Sequence, residues 1–142
     1  MTLRRASLAF LGLVGVAAAL APLGAGASAG HATVKIRHQV RGCHTWSVNG
    51  GSYAPSRALR LSRPGTITVV NNDIMPHTLR QVSGPRARIS SARMGRMAAK
   101  ARVSFGAAGV YRFTTKAGED YPGMDMHTVG EDYVLHLTVR VS

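Results

Sequence analysis

Acidic residues are scarce and unevenly placed: of six, five (Glu119, Asp120, Asp125, Glu131 and Asp132) fall in one late stretch, and Asp73 stands alone. Against 18 lysines and arginines this leaves a formal net charge of +12. Cysteine is scarcer still. Cys43 is the only one, so no intramolecular disulfide can form. It reads as a buried free thiol, as half of an intermolecular bridge, or as a thiolate that a bound metal protects from oxidation. There is no second long apolar run after the first, which excludes a transmembrane anchor in the mature chain. A motif that interleaves aromatic and basic residues is missing as well, so nucleic acid is not an expected partner. No independent acid–base constellation supports reading the chain as an enzyme.

What is present begins with a leader pattern. Arg4 and Arg5 precede an apolar run over 6–21, and small residues such as Ala25, Ala27 and Ala29 follow. That order is the one a secretory signal peptide has, which assigns 1–29 to the signal and 30–142 to a single exported domain with one core. The arginine pair also permits twin-arginine export, although the residues after it add little support. Removing Arg4 and Arg5 takes the formal charge from +12 to +10. So cationic a body either is a solvated surface or favours an acidic redox partner or an anionic cell-surface polymer.

The domain reads as strands. Val34, Ile36 and Val40 alternate with Lys35, Arg37 and Gln39, and His38 shares the apolar parity, as an inward, satisfied histidine would. A second short strand over 45–48 ends at the turn residues Asn49, Gly50 and Gly51 and carries Trp46 for the core. Leu59 and Leu61 alternate with Arg60, Pro64 and Gly65 make a turn, and 66–70 is β-branched enough to pair with 78–82. The stretch 84–100 lacks alternation and reads as a basic excursion with at most a short helix, in which Met94 and Met97 are packing residues or soft ligands. Alternation returns at Val103 and Phe105, at Tyr111 and Phe113, and over 133–141, where His136 takes the outward parity. Several short strands divided by turns predict an all-β, antiparallel Greek-key β-sandwich.

The run from Pro64 and Gly65 through the 66–70 strand to Asn71, Asn72, Asp73, Ile74, Met75, Pro76 and His77 resembles the first half of a plastocyanin-type cupredoxin. The resemblance resumes at 109–113 and the last strand, so it spans most of the mature domain. It implies a cupredoxin-like sandwich, copper as cofactor, and His77 as a copper ligand. The residues agree with that role: Pro76 restrains the backbone before His77, while Asn71, Asn72 and Asp73 can satisfy loop amides and hold one imidazole rigidly.

The same resemblance would put a ligating cysteine at Thr115 and a second histidine at Gly118, and neither can serve. The ligand set is therefore non-standard. Cys43 and His44 fall just after the first strand, at the end of the sandwich where the resemblance puts the metal loops, and with His77 they would restore two imidazoles and a thiolate. Neighbours on a regular strand point to opposite faces, so both bind only if the backbone bends at Gly42. Met126 or His127 in the late loop would complete the site, and Glu119 or Asp120 would offer oxygen or a supporting hydrogen bond. The expected function is that of an exported copper-binding protein in one-electron transfer or copper handling. The alternative is a metal-free sandwich that binds an anionic cell-surface partner.

Overall fold

The computed structural model describes residues 30–38, 44–117 and 134–142. The expected signal peptide over 1–29 lies outside the described residues, as do Cys43, Met126, His127 and the five late acids. Among the described residues ten strands follow in chain order: β1 (His31–His38), β2 (His44–Val48), β3 (Ser56–Leu61), β4 (Gly65–Asn71), β5 (His77–Ser83), β6 (Arg88–Ser90), β7 (Arg93–Met94), β8 (Lys100–Phe105), β9 (Gly109–Ala117) and β10 (Val134–Val141). They form two five-stranded sheets, β2-β1-β4-β8-β6 and β3-β10-β9-β5-β7, packed as an all-β sandwich. Among the described residues no helix is long and apolar enough to cross a membrane.

Period-two patterning explains which face each sheet buries. Ala32, Val34 and Ile36 in β1, Ile67 and Val69 in β4, and Ala101, Val103 and Phe105 in β8 point inward. From the other sheet Leu79, Tyr111, Phe113, Leu135, Leu137, Val139 and Val141 meet them. Trp46 is fully buried, as its place on β2 predicts. The β2 hairpin turns at Asn49 and Gly50, whose φ angles of 49° and 77° are both left-handed, the signature of a two-residue primed turn.

Three expectations about the strands are corrected. The sheets are mixed rather than purely antiparallel, because β1 runs parallel to β4 and β3 runs parallel to β10. The segment over 78–82 does not pair with 66–70: β4 sits between β1 and β8, whereas β5 sits between β9 and β7 in the opposite sheet. The loop between β4 and β5 is a crossing between layers, which a hairpin reading overlooks. The stretch 84–100 forms no helix. It supplies the short edge strands β6 and β7, one to each sheet, and Met94 from β7 is buried in the core while Met97 is 59% exposed.

The crossing positions the site. Burial alternates without a break from Asn71 to Arg80, so Asn71, Asp73, Met75, His77 and Leu79 face in and Asn72, Ile74, Pro76, Thr78 and Arg80 face out. Polar side chains thereby enter the interior at the end of the sandwich where β4 stops and β5 starts.

Candidate metal centre

Asn71 is the keystone of this end. Its side-chain amide donates to the carbonyls of Met75, at 2.8 Å, and Met94, at 3.1 Å, and its Oδ1 accepts from the Asp73 amide at 2.9 Å. Asp73 Oδ1 in turn accepts from the Met75 amide at 3.0 Å. The loop amides are thus satisfied by Asn71 and Asp73, as the sequence indicates, while Asn72 is exposed.

The other oxygen of Asp73 joins two imidazoles. His44 Nδ1 lies 2.5 Å from Asp73 Oδ2 and His77 Nε2 lies 3.1 Å from the same atom, with all three side chains buried. Burial opposes ionisation of Asp73. Hydrogen bonds from His44, His77 and the Met75 amide, together with the positive character of His44, more than offset it and hold the carboxyl well below the usual carboxylate range. With the carboxylate as acceptor, His77 donates through Nε2, and in that neutral tautomer Nδ1 accepts from the Thr115 hydroxyl at 3.3 Å. Position 115, where the resemblance would have a thiolate, does lie beside His77. A hydroxyl there anchors the ring instead.

His38 completes the group. It is exposed at the end of β1, paired across the β1–β2 ladder with His44, and their ring centroids are 5.5 Å apart. The inward position expected for it is corrected: the alternation of Val34 and Ile36 carries it past the edge of the core, where the strand ends. One donor atom each from His38, His44 and Asp73 lie within 4.8 Å of one another. Imidazole, imidazole and carboxylate form a donor set that suits copper or zinc, so the residues present fit a bound transition metal. A surface pocket of about 350 Å³ opens beside them, lined by His38, Asp73, Asn72, Ile74, Met75 and Met97, with Arg37 at its edge.

Of the ligands expected from sequence, the structure brings His44 and His77 together, with ring centroids 5.1 Å apart and nearly perpendicular planes. Cys43, Met126 and His127 lie outside the described residues. The residues that sequence reasoning missed as donors are His38 and Asp73. Two signals point to them: the odd-numbered parity that runs from Asn71 to Leu79 and puts Asp73 on the same side as His77, and the placement of His38 and His44 at facing strand ends.

No protein-family model and no curated protein matches this chain. Among solved structures, a multicopper oxidase is similar at 14% identity with a TM-score of 0.45, over 84% of this chain and 44% of that one. A multi-copper oxidase from Pseudomonas thermotolerans has the same identity and score over 81% of this chain and 30% of its own. A cysteine protease inhibitor from Entamoeba histolytica is similar at 8% identity with a TM-score of 0.39, over 81% of this chain and 97% of that one. The chain spans less than half the length of either oxidase.

Proposed function

We propose that this protein is an exported, cupredoxin-like copper-binding protein whose work is copper handling. The observation that carries the reading is the convergence of His38, His44, Asp73 and His77 at one end of the sandwich. Burying the rings of His44 and His77 against a carboxylate costs desolvation, and apolar residues would close the end at less cost. Copper, when bound, supplies a redox-active ion that imidazole holds well and thiolate or thioether holds well in the reduced state. His44 belongs both to the convergent group and to the ligands expected from the sequence, with Cys43 next to it in the chain as the softer donor if only one of the two binds, and Met126 or His127 as further donors.

Handling is favoured over electron transfer by access. His38 is exposed, and the thioethers of Met75 and Met97 line the pocket through which an ion would approach. Exposed donors and soft thioethers suit an ion that enters and leaves, whereas a fast electron carrier gains from enclosed ligands that do not rearrange.

The test is titration of the purified protein with Cu(II) and with Cu(I), following stoichiometry and visible absorption, with His44→Ala and Cys43→Ser in parallel. Binding of one equivalent that His44→Ala abolishes, with rapid loss to a competing chelator, is the expected result. A thiolate-to-copper band lost in Cys43→Ser, together with slow exchange and a reversible potential, would move the reading to electron transfer.

A second reading has its own observation. Among the described residues Asp73 is the only acid, and it is buried, while Lys35, Lys100 and Arg102 on one outer face and Arg60, Arg112 and Arg140 on the other are exposed. A metal-free module that docks an anionic polymer would retain salt-sensitive binding to heparin in the His44→Ala variant. Absence of specific copper binding in both oxidation states would put this reading first.

A further inference from the structure

The geometry points to His38, His44 and Asp73 as the metal ligands within the described part of the chain, with His77 as the positioning residue behind them. This deepens the copper reading and rests on it. His77 is the ligand that sequence resemblance favours, yet both of its ring nitrogens are engaged. Nε2 reaches Asp73 Oδ2 at 3.1 Å and Nδ1 reaches the Thr115 hydroxyl at 3.3 Å, and the ring is buried. His44 and Asp73 are hydrogen-bonded as well, so position rather than engagement separates the rings: the donors that converge within 4.8 Å of one another are those of His38, His44 and Asp73, while Thr115 holds the far side of His77.

His38, in contrast, is exposed at the pocket mouth, and its donor lies within 4.8 Å of donors from His44 and Asp73. Bonds to copper of roughly 2 Å place the ligand atoms of one ion on the order of 3 Å apart; His44 Nδ1 and Asp73 Oδ2 are already that close, so any remaining approach falls to His38. His38 is the member free to move, because it sits at a strand end at the surface and the other two are buried. The positioning role of His77 has a physical content: together with His44 and the Met75 amide it fixes the orientation of the carboxylate, much as hydrogen-bonded partners orient ligands at other metal sites. Met75 and Met97 line the pocket beside these donors and would offer thioethers to a bound copper ion.

The experiment is Cu(II) binding and electron paramagnetic resonance on the purified protein and on His38→Ala and His77→Gln, counting coordinated nitrogens from the superhyperfine splitting. His38→Ala is expected to show one nitrogen fewer than the wild type and to bind more weakly by over 100-fold. His77→Gln, whose amide can still donate toward Asp73, is expected to leave the nitrogen count unchanged and to weaken binding by no more than the roughly 10–100-fold that a lost supporting contact costs. If His77→Gln loses a nitrogen and His38→Ala does not, the inference is overturned while the copper reading stands. If neither oxidation state of copper binds the wild type, both fall. His38 is exposed, so its variant is expected to fold. Should His77→Gln not fold, unchanged affinity and nitrogen count in His38→Ala overturn the assignment unaided.

Discussion

The two ends of the sandwich are closed in opposite ways by the same two sheets. At one end Phe105 and Tyr111 meet edge to face, with ring centroids 4.7 Å apart, Phe113 packs behind them with its ring centroid 6.0 Å from that of Phe105, and Leu61 and Val141 fill in alongside. The Tyr111 hydroxyl donates to the Ala107 carbonyl at 2.6 Å, so even its polar atom is satisfied locally. At the other end the interior is finished by Asn71, Asp73, His44, His77 and Thr115, all buried and hydrogen-bonded to one another or to loop backbone. Rings of carbon stabilise wherever they are buried, whereas imidazoles and a carboxylate gain only if every partner is present. An end built the second way is stable enough to persist and holds groups able to bind an ion. The first end holds the sheets together.

The comparison can be broken most forcefully at its polar side. Asp73→Ala takes from both imidazoles the acceptor they share and should cost about 3–5 kcal/mol, as removal of one member of a buried charged set does. Urea unfolding in metal-free buffer would measure it, and copper binding by the variant should be lost as well. Phe105→Ala should cost a similar roughly 3–5 kcal/mol through the cavity it leaves, but copper affinity of the folded fraction should stay that of the wild type. Loss of copper binding in Phe105→Ala would mean that the ends are coupled and the contrast is false.

Acid sharpens the contrast further. Asp73 has its carboxyl held below the ordinary aspartate value of 3.8, so its contribution to stability is complete above that value and is lost as the pH falls through the lower, folded-state pKa. Urea unfolding at pH 6 and at pH 3 should therefore reveal a loss in the wild type that is absent from Asp73→Asn. The smallest effect expected is that of Tyr111→Phe, about 1 kcal/mol for one hydrogen bond to backbone, with no dependence on pH in this range and none on copper.

The aromatic end was legible in the sequence because apolar alternation reports burial directly: Val103, Phe105, Tyr111 and Phe113 lie inward on the parity they show. The turn at Asn49 and Gly50 and the outward place of His136 were legible for the same local reasons. The pairing of 66–70 was not, since the choice between a hairpin partner and a partner across the chain depends on which layer the loop enters, and loop composition does not encode that. At the polar end, Asn71 and Asp73 were readable as residues that satisfy loop amides. That Asp73 also joins His44 to His77 was not, because it requires β2 and β5 to meet, and they lie in different sheets. His38 was misplaced inward for an instructive reason: parity predicts the face of a strand and says nothing about where the core ends along it.

The unbroken alternation from Asn71 to Arg80 sets a metre for the crossing between layers. With side chains counted in twos, a single inserted or deleted residue between Asp73 and His77 would present Thr78 and Arg80 to the interior and turn His77 and Leu79 out to water. Changes of length there are tolerable only in pairs, so the passage works as a fixed-count spacer as much as a loop, and its length specifies the chemistry of that end as firmly as the identity of the histidine it delivers.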